Sequence, residues 1–323
     1  MASDANRVRE FEFPQSAKKE FVALKHLGSG NEGYAVLAVH HSSPKTLASC
    51  VALKFNLGEK VTSIRKSLLD ELKGMEGDRD HLIAAVRGYP DMDSPNWHAL
   101  EYVPGRSIHH LLRKHATYKV HGLPPCVIFH VFAELVRVQR HLKKNGYCHI
   151  DLKGGGNVML SNKDDDVFPT VTLIDFGGIM PYNRSKELEH TLHLARKMWK
   201  RNTEIAEHWR PEQIKEEDWK QANDQCKMIH DRAVGEIKET DTLEDLWKER
   251  EKIFEELKQS LTDDAALKEL REALDDGKIT EQDVVENEEL DLKEDWDVGM
   301  GMEYMNLWKT SSKDGDGDSL KLI

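Results

Sequence analysis

Four cysteines are all that 323 residues contain: Cys50, Cys126, Cys148 and Cys226. No two stand in a C-x-x-C pair, so neither a zinc cluster nor a disulfide scaffold is indicated. Free thiols fit a reducing compartment, which makes cytoplasm or nucleus the expected location. Long apolar runs are also lacking. Met1 to Phe13 is polar and charged, and nothing later reaches the ~20 apolar residues of a membrane span. No membrane association is expected. Basic charge is short as well: 46 Lys and Arg face 58 Asp and Glu, a net of −12. Nucleic-acid binding needs a basic surface for phosphates, so that class is set aside.

What is present suffices for a folded protein. Hydrophobic residues make up 39% and charged residues 32%, and the length suits two lobes better than one small core. Residues 1–20 read as a charged lead-in. Phe21 to Phe55 holds short β-rich runs, FVALKHL, YAVLAV and SCVALKF. A glycine-rich turn separates the first two, and the polar connection His40–Thr46 the last two. The spacing of Ile64, Leu68, Leu72 and Met75 predicts a helix over Val61–Met75. Val127, Val131, Leu135, Val138 and Leu142 predict another over Val127–Leu142.

The composition shifts at Lys186. From there to Lys293 the chain reads as charged helix, with 31 acidic and 19 basic residues. This segment carries the whole net charge and is expected to be a module separate from the preceding core. Two stripes run through it: Leu188, Leu192, Ala195 and Trp199, then Leu243, Trp247, Phe254, Leu257 and Leu261. Residues 310–323 have the composition of a disordered tail.

Four short motifs carry chemistry. Gly28-Ser29-Gly30-Asn31-Glu32-Gly33 fits G-x-G-x-x-G, whose missing Cβ atoms let main-chain N–H groups approach phosphates. Alone it is as easily an ordinary hairpin. It lies between two strands, which disfavours a dinucleotide-binding unit. Val51-Ala52-Leu53-Lys54 ends an apolar strand in a cation, and Glu71 follows seventeen residues later in the helix predicted over Val61–Met75. His149-Ile150-Asp151-Leu152-Lys153 leads through Gly154-Gly155-Gly156 to Asn157. Leu173-Ile174-Asp175-Phe176-Gly177 places a carboxylate directly after an apolar strand, where it can project into a cleft as a magnesium ligand.

In this order the motifs resemble those of eukaryotic protein kinases. Leu100-Glu101-Tyr102-Val103-Pro104-Gly105 resembles the hinge between the two kinase lobes. The resemblance implies an α+β, two-lobed kinase-like fold: a β-rich small lobe over residues 21–103 and the first part of a helical large lobe over 104–185. An acidic all-helical insert would follow over 186–293, then the central large-lobe helix over 294–309. It implies ATP and Mg2+ as cofactors. Gly28, Ser29, Gly30 and Gly33 would cover the phosphates, and Ala52 and Leu100 would line the adenine pocket. The main chain of Glu101 and Val103 would bond the adenine, and Lys54, paired with Glu71, would hold the α- and β-phosphates. Asp151 would take the acceptor's proton within the loop that His149 opens, Lys153 would neutralise the moving phosphoryl group, and Asn157 and Asp175 would hold magnesium.

The chain departs from that pattern in places. Ile150 stands where the family usually has arginine, which implies activity without an activation-loop phosphate. Asn157 lies six positions after Asp151 instead of five, so one glycine must be absorbed. No Ala-Pro-Glu motif or peptide-docking loop follows Gly177. Glu294-Asp295-Trp296-Asp297-Val298-Gly299 resembles the start of the central helix, whose acid would brace the catalytic loop. The expected activity is phosphate transfer to a hydroxyl, on protein serine or threonine ahead of a small molecule. A partner-binding kinase-fold scaffold, and ATP chemistry of another kind, remain as alternatives. The insert reads either as a replacement for missing large-lobe helices or as a cap that binds substrate or a protein partner.

Overall fold

The computed structural model describes residues 14–29, 33–56, 66–74, 82–92, 95–112, 123–162, 166–206, 215–234, 242–262, 264–276 and 278–286. The lead-in 1–13, Gly30, Ile64, Met75, the helix expected over 294–309 and the tail 310–323 lie outside them.

Alternating apolar residues between turns give the small lobe its sheet. β1 (Phe21–Ser29), β2 (Gly33–His40) and β3 (Cys50–Asn56) form a meander, and β4 (Val86–Gly88) and β5 (Trp97–Glu101) complete five antiparallel strands in the order β1-β2-β3-β5-β4. One face buries Phe21, Val36, Leu53, Phe55 and Trp97 beneath α1 (Gln15–Lys18), where Trp97 Nε1 donates to Ser16 Oγ at 3.0 Å. Register sets the other face. Ala35, Leu37 and Val39 lie opposite Lys54, Ala52 and Cys50, while Lys54 and Ala52 lie opposite His98 and Leu100. Cross-strand partners share a face, so all eight side chains point the same way, toward the cleft.

Below the hinge come β6 (Arg106–Ser107), α3 (Ile108–Leu112) and α4 (Pro125–Lys144). The five residues of the expected α4 stripe, Val127 to Leu142, are each fully buried. β7 (Tyr147–His149), β8 (Val158–Ser161), β9 (Thr170–Leu173) and β10 (Ile179–Pro181) follow, with β6, β8 and β9 in one antiparallel sheet and β7 paired with β10.

The acidic region forms α5 (Arg184–Ala206), α6 (Glu216–Val234), α7 (Leu243–Lys248), α8 (Glu251–Ser260), α9 (Asp264–Asp275) and α10 (Glu281–Glu286). The expectation of a separate module is corrected here. Leu188, Leu192, Trp199, Trp247, Phe254, Leu257, Leu267 and Leu274 are buried in the same cluster as Val131, Leu135 and Leu142 of α4. Phe254 meets Phe129 and Phe132 at centroid distances of 5.1 and 5.7 Å. Charge counting misleads because acids and bases stay on the wet faces, as in the pairs Lys248–Glu244 and Lys258–Glu255 at 3.5 and 2.8 Å. Such pairs contribute only ~0.2–0.5 kcal/mol each; a few apolar positions per helix decide the packing.

The end of this region crosses between the lobes. Arg271 Nη2 donates to the carbonyls of Asp166 and Val167 at 2.6 and 3.1 Å, anchoring α9 to the large lobe. Arg106, just past the hinge, donates to the Asp276 carbonyl. Ile279 and Val284 then bury themselves against Leu24, Leu37, Val39 and Cys50, on the cleft-side face of the small sheet. Glu281 accepts from the Leu47 N–H at 2.8 Å. Among the described residues no helix is long and apolar enough to cross a membrane.

Candidate active site

Lys54 leaves β3 on the cleft face, and the cation it carries is buried enough to need a partner. The expected Lys54–Glu71 pair is not formed. The Lys54 ammonium instead pairs with Asp175, and both side chains are less than one-fifth exposed. α2 (Lys66–Gly74) explains the difference. Leu69 and Leu72, three positions apart, turn into the core, and Glu71 lies off that stripe. Glu71 is exposed and accepts a hydrogen bond from the Tyr147 hydroxyl.

Asp175 joins two further groups. Its Oδ1 accepts from the Gly177 N–H at 2.9 Å, and its carbonyl accepts from His149 Nε2 at 2.6 Å. Burial works against its ionisation, but Lys54 and the Gly177 N–H outweigh burial and hold its pKa below the usual carboxylate range. The His149 Nδ1 accepts from the Asp151 N–H at 3.2 Å, which fixes the imidazole as the neutral Nε2–H form. Burial lowers the pKa of His149 in the same sense.

The six-position step from Asp151 to Asn157 closes through Gly155. This residue has φ of +70°, and a Cβ there would stand 3.1 to 3.2 Å from Ile108, His109 and Leu194. Only glycine adopts that backbone so close to its neighbours without strain. The turn brings Asn157 back to the aspartate: its Nδ2 donates to the Asp151 carbonyl and to Asp151 Oδ2 at 2.8 and 2.9 Å. Gly178 is as tightly placed, since a Cβ there would lie 2.7 Å from Asp151 and 2.8 Å from His149. Asp151 itself is exposed.

α5 begins seven residues after Gly177 and packs beside this loop. Lys153 donates to Glu189 Oε1 at 2.5 Å, and Lys186 to Glu189 Oε2 at 3.2 Å. Burial opposes ionisation of Glu189, yet the two lysines hold its pKa at about 2. On the hinge side Leu100 is buried, Val103 packs half-buried on the core, and the Glu101 N–H donates to the Ala85 carbonyl at 2.7 Å. Gly28 and Ser29 end β1 and Gly33 opens β2 at the glycine-rich turn.

Two groups that the sequence reading did not single out also belong here. Gln139 clamps the main chain of His149 from α4. A polar residue three before Leu142, on an otherwise apolar face, was the available signal. His98 is fully buried opposite Lys54, and neither ring nitrogen has a hydrogen-bond partner among the described residues. Burial, then the Lys54 charge, pushes its pKa down to about 4.

The His98 shift has a consequence for stability. Between its ordinary value near 6.5 and about 4, the unfolded chain binds a proton at His98 that the folded protein does not. Stability therefore falls as pH falls through that window. The full shift corresponds to roughly 3 kcal/mol. Urea titrations of the metal-free protein at pH 7 and pH 4.5 measure it. His98→Leu flattens the slope, because it removes the titrating group. An unchanged slope would assign the acid sensitivity to other histidines.

The protein kinase domain family matches residues 21–224, more than half of the sequence. The chain belongs to the protein kinase family and is a phosphotransferase. Similar solved structures include the Cydia pomonella granulovirus kinase PK-1, at 14% identity over 68% of this chain and 90% of that one, with a TM-score of 0.49. The Mycobacterium tuberculosis PknI kinase domain is 14% identical over 80% of this chain and 96% of that one, with a TM-score of 0.43. No curated protein matches the chain.

Proposed function

We propose that this kinase moves the γ-phosphate of magnesium-bound ATP to a hydroxyl group, with protein serine or threonine as the acceptor. One observation carries the reading. Lys54, Asp175, His149, Asp151 and Asn157 form an unbroken chain of hydrogen bonds through one cleft. Phosphoryl transfer needs positioned charge more than covalent help, and this chain positions charge of both signs.

Asp175 and Asn157 suit magnesium, which prefers carboxylate and amide oxygens. Asn157 spends its amide nitrogen on Asp151, so its oxygen is the atom it can offer a cation. Bound there, magnesium would neutralise phosphate charge. Lys54 adds fixed positive charge from the small lobe and Lys153 from the large lobe. Asp151, reachable from solvent, would accept the proton of the incoming hydroxyl. Residues 28–33 would offer main-chain N–H groups to the phosphates. Only four cysteines, none in a C-x-x-C pair, favour a reducing compartment, cytoplasmic or nuclear.

Calorimetry of ATP binding tests the reading. Micromolar binding strengthened by magnesium over EDTA is expected, with the magnesium dependence lost in Asp175→Ala. No binding under either condition would refute it.

A small-molecule acceptor is the second reading, favoured by α5 pressing Glu189 and Lys186 against Lys153. Labelled phosphate should reach generic basic proteins under the first reading. ATP hydrolysis without protein labelling would favour the second. The exposed acidic faces of α6 to α10 are where a protein partner would bind.

A further inference from the structure

We infer that Gln139 is a positioning residue for phosphate transfer, holding the catalytic loop in register with the Asp175 loop. The inference rests on the kinase reading above. Among the described residues β7 is paired on one side only, by β10, so the His149 main chain needs partners elsewhere. Gln139 supplies both. Its Nε2 donates to the His149 carbonyl at 2.9 Å, and its Oε1 accepts from the His149 N–H at 3.0 Å. The second Nε2 hydrogen goes to Thr191 Oγ1 at 3.3 Å, and Thr191 donates onward to the Glu187 carbonyl at 2.9 Å. Gln139 and Thr191 are fully buried, and every hydrogen-bonding atom of the amide is used.

The position of this clamp gives it reach. His149 is the residue whose imidazole contacts the Asp175 carbonyl with one nitrogen and the Asp151 N–H with the other. Fixing its main chain from α4 therefore fixes the proton acceptor and the metal-facing carboxylate relative to each other. Through Thr191 the same amide ties in α5, the helix whose Glu189 holds Lys153. The His149 segment and α5 meet directly on one buried side chain, and the Asp175 loop joins them through the His149 ring. An apolar residue of similar length could fill the space but not the register.

Gln139→Met tests this, because it keeps volume and leaves no large cavity. Hydrogen exchange of the full-length protein is followed in peptides covering 147–153 and 125–144, beside steady-state kinetics. The expected result is at least ~10-fold faster exchange in 147–153 with α4 still protected, since two buried main-chain groups lose their partner. The expected kcat is about 10²-fold lower with KM for ATP little changed, the size of a misplacement near 1 Å. Gln139→Glu, whose buried, protonated carboxyl keeps the acceptor and one donor in place of two, should fall between Gln139→Met and wild type in both readouts. Unchanged exchange in 147–153 overturns the clamp whether or not phosphate is transferred. Faster exchange with kcat unchanged would make Gln139 structural only and overturn the positioning role. A wild type that transfers no phosphate would overturn the kinase reading, and the catalytic role with it.

Discussion

Asp151→Asn binds ATP with wild-type affinity and transfers phosphate about 10²–10⁴-fold more slowly, the range lost with a positioned general base. The argument is geometric. The substitution is isosteric, and its amide oxygen can still accept from Asn157, so the loop that closes through Gly155 should persist. What disappears is the negative charge and the ability to take a proton from the acceptor. On the proposed reading, nucleotide contacts would fall to other groups: Lys54, residues 28–33 and the hinge. The measurement is phosphate transfer and ATP titration on the same preparation. Transfer within a factor of ten of wild type would remove Asp151 from the proton path. Loss of ATP binding in parallel would show that Asp151 supports the cleft itself.

Phe254→Ala lowers the unfolding free energy by about 3–5 kcal/mol, the cost of truncating a large side chain in a packed interior. Phe254 is 2% exposed and packs among Phe129, Phe132 and Trp247, the last at a centroid distance of 5.7 Å. Two of those partners lie on α4, which leads directly into the catalytic loop. A protein of ordinary stability, ~5–15 kcal/mol, has little margin for such a loss. Urea unfolding followed by tryptophan fluorescence and by ATP binding should show both signals shifting together. If fluorescence shifted while ATP binding kept its wild-type midpoint, the helices after residue 242 would be an independent unit after all.

The two results touch features that differed in how legible they were. The small-lobe strands and α4 could be read because a period of 2.0 or 3.6 is local, and Val127 to Leu142 shows it without interruption. The motif order likewise pointed to the family. The partner of Glu71 could not be read. Whether it meets Lys54 or Tyr147 depends on how α2 rotates over the large lobe, and its Tyr147 contact lies 76 residues away in sequence. The fate of the acidic segment was obscured for a different reason. Charge is abundant and sits on wet faces, whereas residues such as Phe254 and Trp247 are few, and no periodicity says which distant helix they meet. Gln139 and His98 were hidden because a single polar residue in an apolar run signals nothing until its partners, or their absence, are seen.

The packing of Ile279 and Val284 on the small lobe also bears on how the chain is made. Leu37 and Val39 emerge from the ribosome early, but Ile279 and Val284, which cover them, emerge about 245 residues later. At ~5–20 residues per second that is a delay of roughly 10–50 s. Throughout it, a strip of apolar sheet surface lies open on every nascent chain. Burial of this face of the small lobe is thereby tied to the synthesis of Ile279 and Val284. A truncated or stalled product would carry this strip permanently, which would make it a natural client for chaperones.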